Sequence, residues 1–201
     1  MTSNKTCFIA GTLIVTGYGL SKIENIKPGD LVLSTNVDTM ETGYKKVLEK
    51  YVRKTRELVH IVVGGEKIVS TADHPYFVVG RGFINAGQLC IGSPLQDANG
   101  KILEVEQIYK EYLEEDEEVT VYNFQVEDWH TYHVGEMEVL VHNAGVGYGE
   151  EGKGPSESCS VRGCKTLNGG ANCLSNIVGG YTKNGMDWHC PLFCNLESPQ
   201  I

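Results

Sequence analysis

The residues best suited to covalent chemistry stand at the two ends of one stretch of the chain, Cys7 at its start and the pair His142-Asn143 at its close. Cysteine is the most nucleophilic side chain available near neutral pH, with an ordinary pKa of about 8.5, and its sulfur can attack a carbonyl. Asparagine carries its own nucleophile, because the side-chain amide can close a five-membered succinimide on its own backbone carbonyl and release the next residue. Between these ends lie Thr71-Ala72-Asp73-His74 and, within VYNFQVEDWHTYHV, His130. Each has an ordinary reading on its own. Cys7 could be a small buried hydrophobe, Thr71 a strand residue, His74 a turn histidine before Pro75, and His142-Asn143 a strand end running into a linker.

Elements that could gather these residues are strands. VSTADHPYFVV, EVTVYNFQVE, HTYHV and MEVLVH are rich in Val, Tyr, Phe, Thr and Ile and predict short strands. Lys27-Pro28-Gly29-Asp30 is a turn feeding Leu31-Val32-Leu33, and Gly64-Gly65 between LVHIVV and EKIVS predicts a hairpin. The expectation is an all-β domain. One stretch departs from it: from Ile102 to Glu118 the apolar residues fall at partly helical spacing and the run ends in an acidic cluster. A solvated helix or loop face is expected there, since clustered carboxylates repel and prefer water. His60 and His133 sit in strand-like runs without a motif partner and read as structural, and Cys90 in GQLCIG reads as buried.

A chain of 201 residues with 41% hydrophobic content holds one sizeable β-rich core and a small appendage. The formal net charge of -9 offers no grip on a phosphate backbone, so nucleic acid is not an expected partner. With no run of 18 apolar residues and no signal-peptide pattern, no membrane partner is expected either.

Five of the seven cysteines, Cys159, Cys164, Cys173, Cys190 and Cys194, crowd into the last quarter of the chain, which places a boundary near Asn143. The expected organisation is a flanking stub over 1–6, a domain over 7–143, a glycine- and charge-rich linker over 144–158 and a cysteine-rich segment over 159–201. That segment has few aliphatics and needs crosslinks or a metal to hold a fold. Without a CxxC knuckle it fits a zinc ribbon poorly, so a disulfide-stapled unit is the better reading, with Cys190, Cys194 and His189 as weak metal candidates. Its His-Cys-Pro run has the wrong spacing for a deaminase, and the upstream H-x-E is missing from the segment.

Taken in order, Cys7-Phe8-Ile9-Ala10-Gly11-Thr12, Thr71-Ala72-Asp73-His74, His130 after a strand, and His142-Asn143 before Ala144 form a pattern that resembles the Hint superfamily: inteins, bacterial intein-like domains and the pretoxin Hint modules of polymorphic toxins. The resemblance spans about two thirds of the chain and draws on all four motif blocks. It implies a horseshoe-shaped, mostly antiparallel β-domain that cuts its own backbone and needs no cofactor. By that resemblance Cys7 attacks the Thr6 carbonyl in an N-to-S acyl shift, and His74 supplies a proton to the leaving nitrogen. Thr71 and the backbone amides of its segment position the scissile peptide, with Asp73 in support. His142 and His130 assist cyclisation of Asn143, which frees Ala144.

Two departures from the intein pattern point to cleavage rather than splicing. Ala144 stands where a splicing intein presents a nucleophile, so it cannot accept the acyl group. Asn123 stands where many inteins carry an aspartate, and an amide cannot be a general base; Asp128 is a weaker substitute and reads as a surface turn residue. The implied activity is single-turnover self-cleavage that releases the cysteine-rich segment. The alternative is a catalytically weak Hint scaffold or interaction module that presents it. Localisation is left open, with secretion as part of a longer bacterial toxin-like protein, behind upstream delivery segments, the expectation the resemblance suggests.

Overall fold

The computed structural model describes residues 6–143, with the backbone of Tyr181–Thr182 and Gly185–Met186, which pair as a short two-stranded unit. The first half of residues 6–143 contributes β1 (Phe8–Ile9), β2 (Leu13–Thr16), β3 (Gly19–Lys22), β4 (Leu31–Thr35), β5 (Thr42–Thr55), β6 (Glu57–Val63) and β7 (Glu66–Ser70). The second half contributes β8 (Pro75–Val78), β9 (Gly82–Asn85), β10 (Pro94–Gln96), β11 (Ile102–Tyr112), β12 (Val119–Val126), β13 (Thr131–Val134) and β14 (Val139–His142). No α-helix occurs among the described residues.

All fourteen strands join one sheet in the order β10-β11-β6-β7-β1-β12-β5-β4-β2-β13-β14-β8-β9, with β3 attached to β2. β10 also pairs with β8 through Leu95 and Val78, so the sheet curls until its far ends meet. Closure of this kind removes most exposed edges. It also turns one face inward as a single core, where Phe8, Ile14, Tyr76, Phe124, Tyr132 and Val141 are fully buried. Burying a large apolar side chain of this sort stabilises the fold by roughly 1.5–3 kcal/mol.

Gly64 and Gly65 make the expected hairpin between β6 and β7, both with positive φ (58° and 76°), as a tight turn matched to the strand twist requires. The turn before Leu31 likewise feeds β4, as its residues predicted.

The stretch from Ile102 is not a helix or loop face at its start: it forms β11, paired with β6 over most of its length. Leu103 and Val105 are buried while Ile102, Glu104 and Glu106 are exposed, which is strand alternation. A bulge between Val105 and Gln107 adds a residue, and this break in the period of two is what imitates helical spacing. Cys90 is half-buried rather than buried, and it opens the turn that the Ser93 amide closes by donating to its carbonyl at 3.0 Å.

Candidate active site

β1 is only two residues long, yet it is clamped on both sides. Phe8 pairs with Tyr122 of β12 and with Ser70 of β7. Each register, carried one residue back, sets Cys7 beside Asn123 on one flank and Thr71 on the other. The hydrogen bonds agree: the Thr71 amide donates to the Cys7 carbonyl at 2.9 Å, and the Cys7 amide donates to the Thr71 hydroxyl at 3.0 Å. Cys7 is fully buried, and Thr6 nearly so.

The Thr6–Cys7 peptide is therefore held at both of its polar atoms. Its nitrogen faces Thr71 Oγ1, and its carbonyl oxygen accepts a hydrogen bond from Asn123 Nδ2 at 2.7 Å. The same Nδ2 lies 3.0 Å from Thr6 Oγ1. Asn123 Oδ1 in turn accepts from the Phe124 amide at 2.8 Å and from the Tyr132 hydroxyl at 2.9 Å. An amide N–H aimed at a carbonyl oxygen under attack is the arrangement that stabilises a developing oxyanion.

His74 caps the turn after Thr71, with its amide donating to the Thr71 carbonyl at 3.1 Å. Its ring is completely buried among Phe8 (centroids 4.1 Å apart), Tyr76 (5.9 Å) and Tyr132 (6.2 Å). Neither ring nitrogen finds a hydrogen-bond partner among the described residues. A buried polar atom without a partner costs about 1–3 kcal/mol, so folds retain such atoms chiefly where chemistry uses them. Burial pushes the His74 pKa well below the ordinary range and the charge of His142 pushes it the same way, so the ring is neutral at neutral pH.

The other half of the site is carried by the β13–β14 hairpin. Thr131 pairs with His142, and the Asn143 amide closes the pair beyond it by donating to the His130 carbonyl at 2.8 Å. His130 adopts φ 53°, the left-handed region that a non-glycine residue enters at a cost, and the ring centroids of His130 and His142 lie 6.5 Å apart. β14 also pairs with β8 through Val141 and Tyr76, a register that sets Asn143 beside His74. Asn143 is buried, and neither atom of its side-chain amide has a partner among the described residues.

Burial pushes the His142 pKa down to about 4, and His130 adds to the drop, while a hydrogen bond with the Asn143 backbone opposes it. For Cys7, burial raises the thiol pKa, and Arg53 on β5 opposes this through its charge and a hydrogen bond. Arg53 pairs with Val121, which pairs with Ile9, so Arg53, Val121, Ile9 and Cys7 share one face of the sheet.

Cys7, Thr71, His74, His130, His142 and Asn143 thus converge from four separate stretches of sequence. Asp73 is exposed, outside the buried group. Asp128 is a surface turn residue with φ 60°, paired with Lys45 at 2.8 Å. His133 bridges the Glu138 carbonyl and Thr35 Oγ1, and His60 pairs with Glu111 at 2.6 Å, both outside this buried group. Tyr132 and Arg53 went unread in the sequence. A strand tyrosine and a lone arginine in a half-exposed strand carry no signal of their own, although the i, i+2 spacing of His130 and Tyr132 hints at a shared face. No cluster of three or more His, Cys, Asp or Glu side chains placed for a metal occurs among the described residues, and Ala144, His189, Cys190 and Cys194 lie outside them.

A closed, antiparallel β-domain with a cysteine at its first strand and a histidine-asparagine pair at its last is the architecture of intein-type domains. The family model described as the pretoxin Hint domain matches residues 13–144, and the chain belongs to that family. Among solved structures, a bacterial intein-like domain from Clostridium thermocellum is 53% identical and superposes with a TM-score of 0.66, covering 68% of this chain and 98% of its own. The gp41-1 intein is 26% identical with a TM-score of 0.56, over 69% of this chain and 98% of its own. A DnaB intein from Synechocystis, 15% identical with a TM-score of 0.60 over 69% of this chain and 99% of its own, shares the fold. No curated protein sequence matches the chain. The Hint fold supports intein-like autocatalytic processing as the general activity of this domain.

Proposed function

We propose that this domain cuts its own chain at both ends and in doing so releases the cysteine-rich segment that begins at Ala144. The observation that carries the proposal is the pair of hydrogen bonds on the Thr6–Cys7 peptide, from Asn123 to its carbonyl and from its nitrogen to Thr71. Such bonds align the amide for attack by the adjacent thiol.

The first step moves one proton and exchanges one bond. Cys7 Sγ adds to the Thr6 carbonyl carbon, Asn123 Nδ2 holds the oxyanion, and the C–N bond breaks to leave a thioester and a free Cys7 amine. The proton lost by sulfur must reach that nitrogen. Neutral His74 suits this transfer, because a ring with a depressed pKa gives up readily any proton it accepts. Water or another nucleophile then hydrolyses or captures the thioester.

The second step needs no thioester. Asn143 Nδ2 adds to its own carbonyl carbon, the bond to Ala144 breaks, and one amide proton passes to the Ala144 nitrogen. His142 and His130 serve this transfer. Because Ala144 offers no nucleophile, the two cuts are independent and splicing is not expected. The amide of Asn143 and the ring of His74, both without a hydrogen-bond partner among the described residues, argue against a scaffold role, since a scaffold gains nothing by keeping them so.

The test uses three versions of the chain. Wild type should lose residues 1–6 faster when dithiothreitol is added, Cys7→Ala should lose that response alone, and Asn143→Ala should lose the Ala144 cut alone. Thiol-dependent cleavage that persists in Cys7→Ala would reassign the nucleophile.

A further inference from the structure

We propose that Tyr132 is a positioning residue for the N-terminal step, acting through Asn123 to aim and strengthen the donor on the scissile carbonyl. The inference rests on the self-cleavage reading above and adds a residue to it. An asparagine side chain has two ends of nearly equal shape, and only one can serve an oxyanion. If the amide turned over, Oδ1 would face the Thr6 carbonyl oxygen, and two lone-pair-bearing oxygens would meet at the 2.7 Å now held by a hydrogen bond. The Phe124 amide, which can only donate, lies 2.8 Å from Oδ1 and selects the productive end.

Tyr132 then adds a second donor to the same oxygen, 2.9 Å away. A hydrogen bond donated to an amide oxygen draws electron density from its nitrogen, so the N–H aimed at Thr6 becomes a stronger donor. Neither Tyr132 nor Asn123 is exposed to solvent, so water cannot replace the hydroxyl. Burial, with the neighbouring Cys7 and Tyr76, also raises the phenol pKa far above its usual value, so the group remains an O–H donor across the working range of pH.

The placement of Tyr132 is also informative. It sits on β13, two residues after His130 and opposite Val141, while Asn123 sits on β12 beside Cys7. One hydroxyl thus ties the hairpin carrying the C-terminal residues to the donor that serves the N-terminal bond.

The experiment is a double-mutant cycle on the full chain, with thiol-induced loss of residues 1–6 and release at Ala144 followed in the same sample by intact mass. Tyr132→Phe should slow the thiol-induced cut about tenfold, as the loss of one polarising hydrogen bond predicts. Asn123→Ala should slow it by about 10²–10³-fold, the usual worth of an oxyanion donor. In the Asn123→Ala background, Tyr132→Phe should add nothing, because the group it acts through is gone. The Ala144 cut should keep its wild-type rate throughout and serves as the check that each variant is folded. Losses that multiply in the double variant, an undiminished thiol response in Tyr132→Phe, or a parallel fall in both cuts would overturn the positioning role. A wild-type chain with no thiol response would instead overturn the reading beneath it.

Discussion

Asn123 Nδ2 lies 2.7 Å from the Thr6 carbonyl oxygen, across 117 residues of sequence. In the proposed first step, a side chain that cannot act as a base takes a different task, holding the oxygen that would become negative as Cys7 attacks. Asn123→Asp should therefore impair the thiol-induced cut at neutral pH, since a carboxylate facing the oxyanion repels it, and should recover activity as the pH falls and the acid becomes a donor. A thiol-induced rate in Asn123→Asp that, taken relative to wild type at each pH, rises with pH would contradict this.

The resting thiol of Cys7 is not pre-activated, because burial raises its pKa and Arg53 only partly offsets the effect. Arg53→Met should push the rising limb of the thiol-induced rate to higher pH and lower the rate at pH 7, while Arg53→Lys should keep much of the wild-type profile. The profile is measured by intact mass over a pH series; an unshifted limb in Arg53→Met would exclude an electrostatic role.

How these groups assemble was only partly legible in sequence. The end residues and the strands between them could be read because nucleophile types and β-branched runs carry local signals. The bulge in β11 could not, since one inserted residue turns alternation into something that looks helical. Tyr132 and Arg53 were hidden for another reason. The position of Arg53 comes from register with β12, and Tyr132 reaches Asn123 from a strand that does not pair with β12, so no local pattern encodes either. Asn123 reads in sequence only as a departure that favours cleavage, because the direction of its nitrogen toward Thr6 is set by the fold.

Stability should fall on acidification. His142, with a folded pKa of about 4 against 6.5 when exposed, binds a proton in the unfolded chain that it refuses in the folded one. Its contribution is thus fully present above about pH 6.5 and is lost as the pH drops toward 4, and the lowered values of His74, His60 and His133 act in the same direction. Thermal melts at pH 7 and pH 4.5 should show a lower Tm in acid, with a smaller difference for His142→Gln. An equal or higher Tm at pH 4.5 would refute the sign.

The turn that joins β13 to β14 depends on Gly135, with φ 78° and no room for a side chain: a Cβ there would lie 2.5 Å from Glu66 Oε2. Glu66 accepts from the amides of Glu136 and Met137 at 2.9 and 3.0 Å, so the carboxylate pins the hairpin that delivers His130 and Asn143. Gly135→Ala should cost about 1–3 kcal/mol and slow the Ala144 cut more than the thiol-induced one. Chemical denaturation gives the first number and mass spectrometry the second.

Self-cleavage at Asn143 is tested most directly by the mass of the fragment that ends there. Asparagine cyclisation leaves a succinimide, so in a freshly incubated wild-type sample that fragment should first appear one water lighter than a hydrolytic product and only later gain the water. Its partner should begin at Ala144, and Asn143→Ala should yield neither. A fragment that carries the added water from its first appearance, or release at Ala144 undiminished in Asn143→Ala, would show that a protease rather than this domain makes the cut.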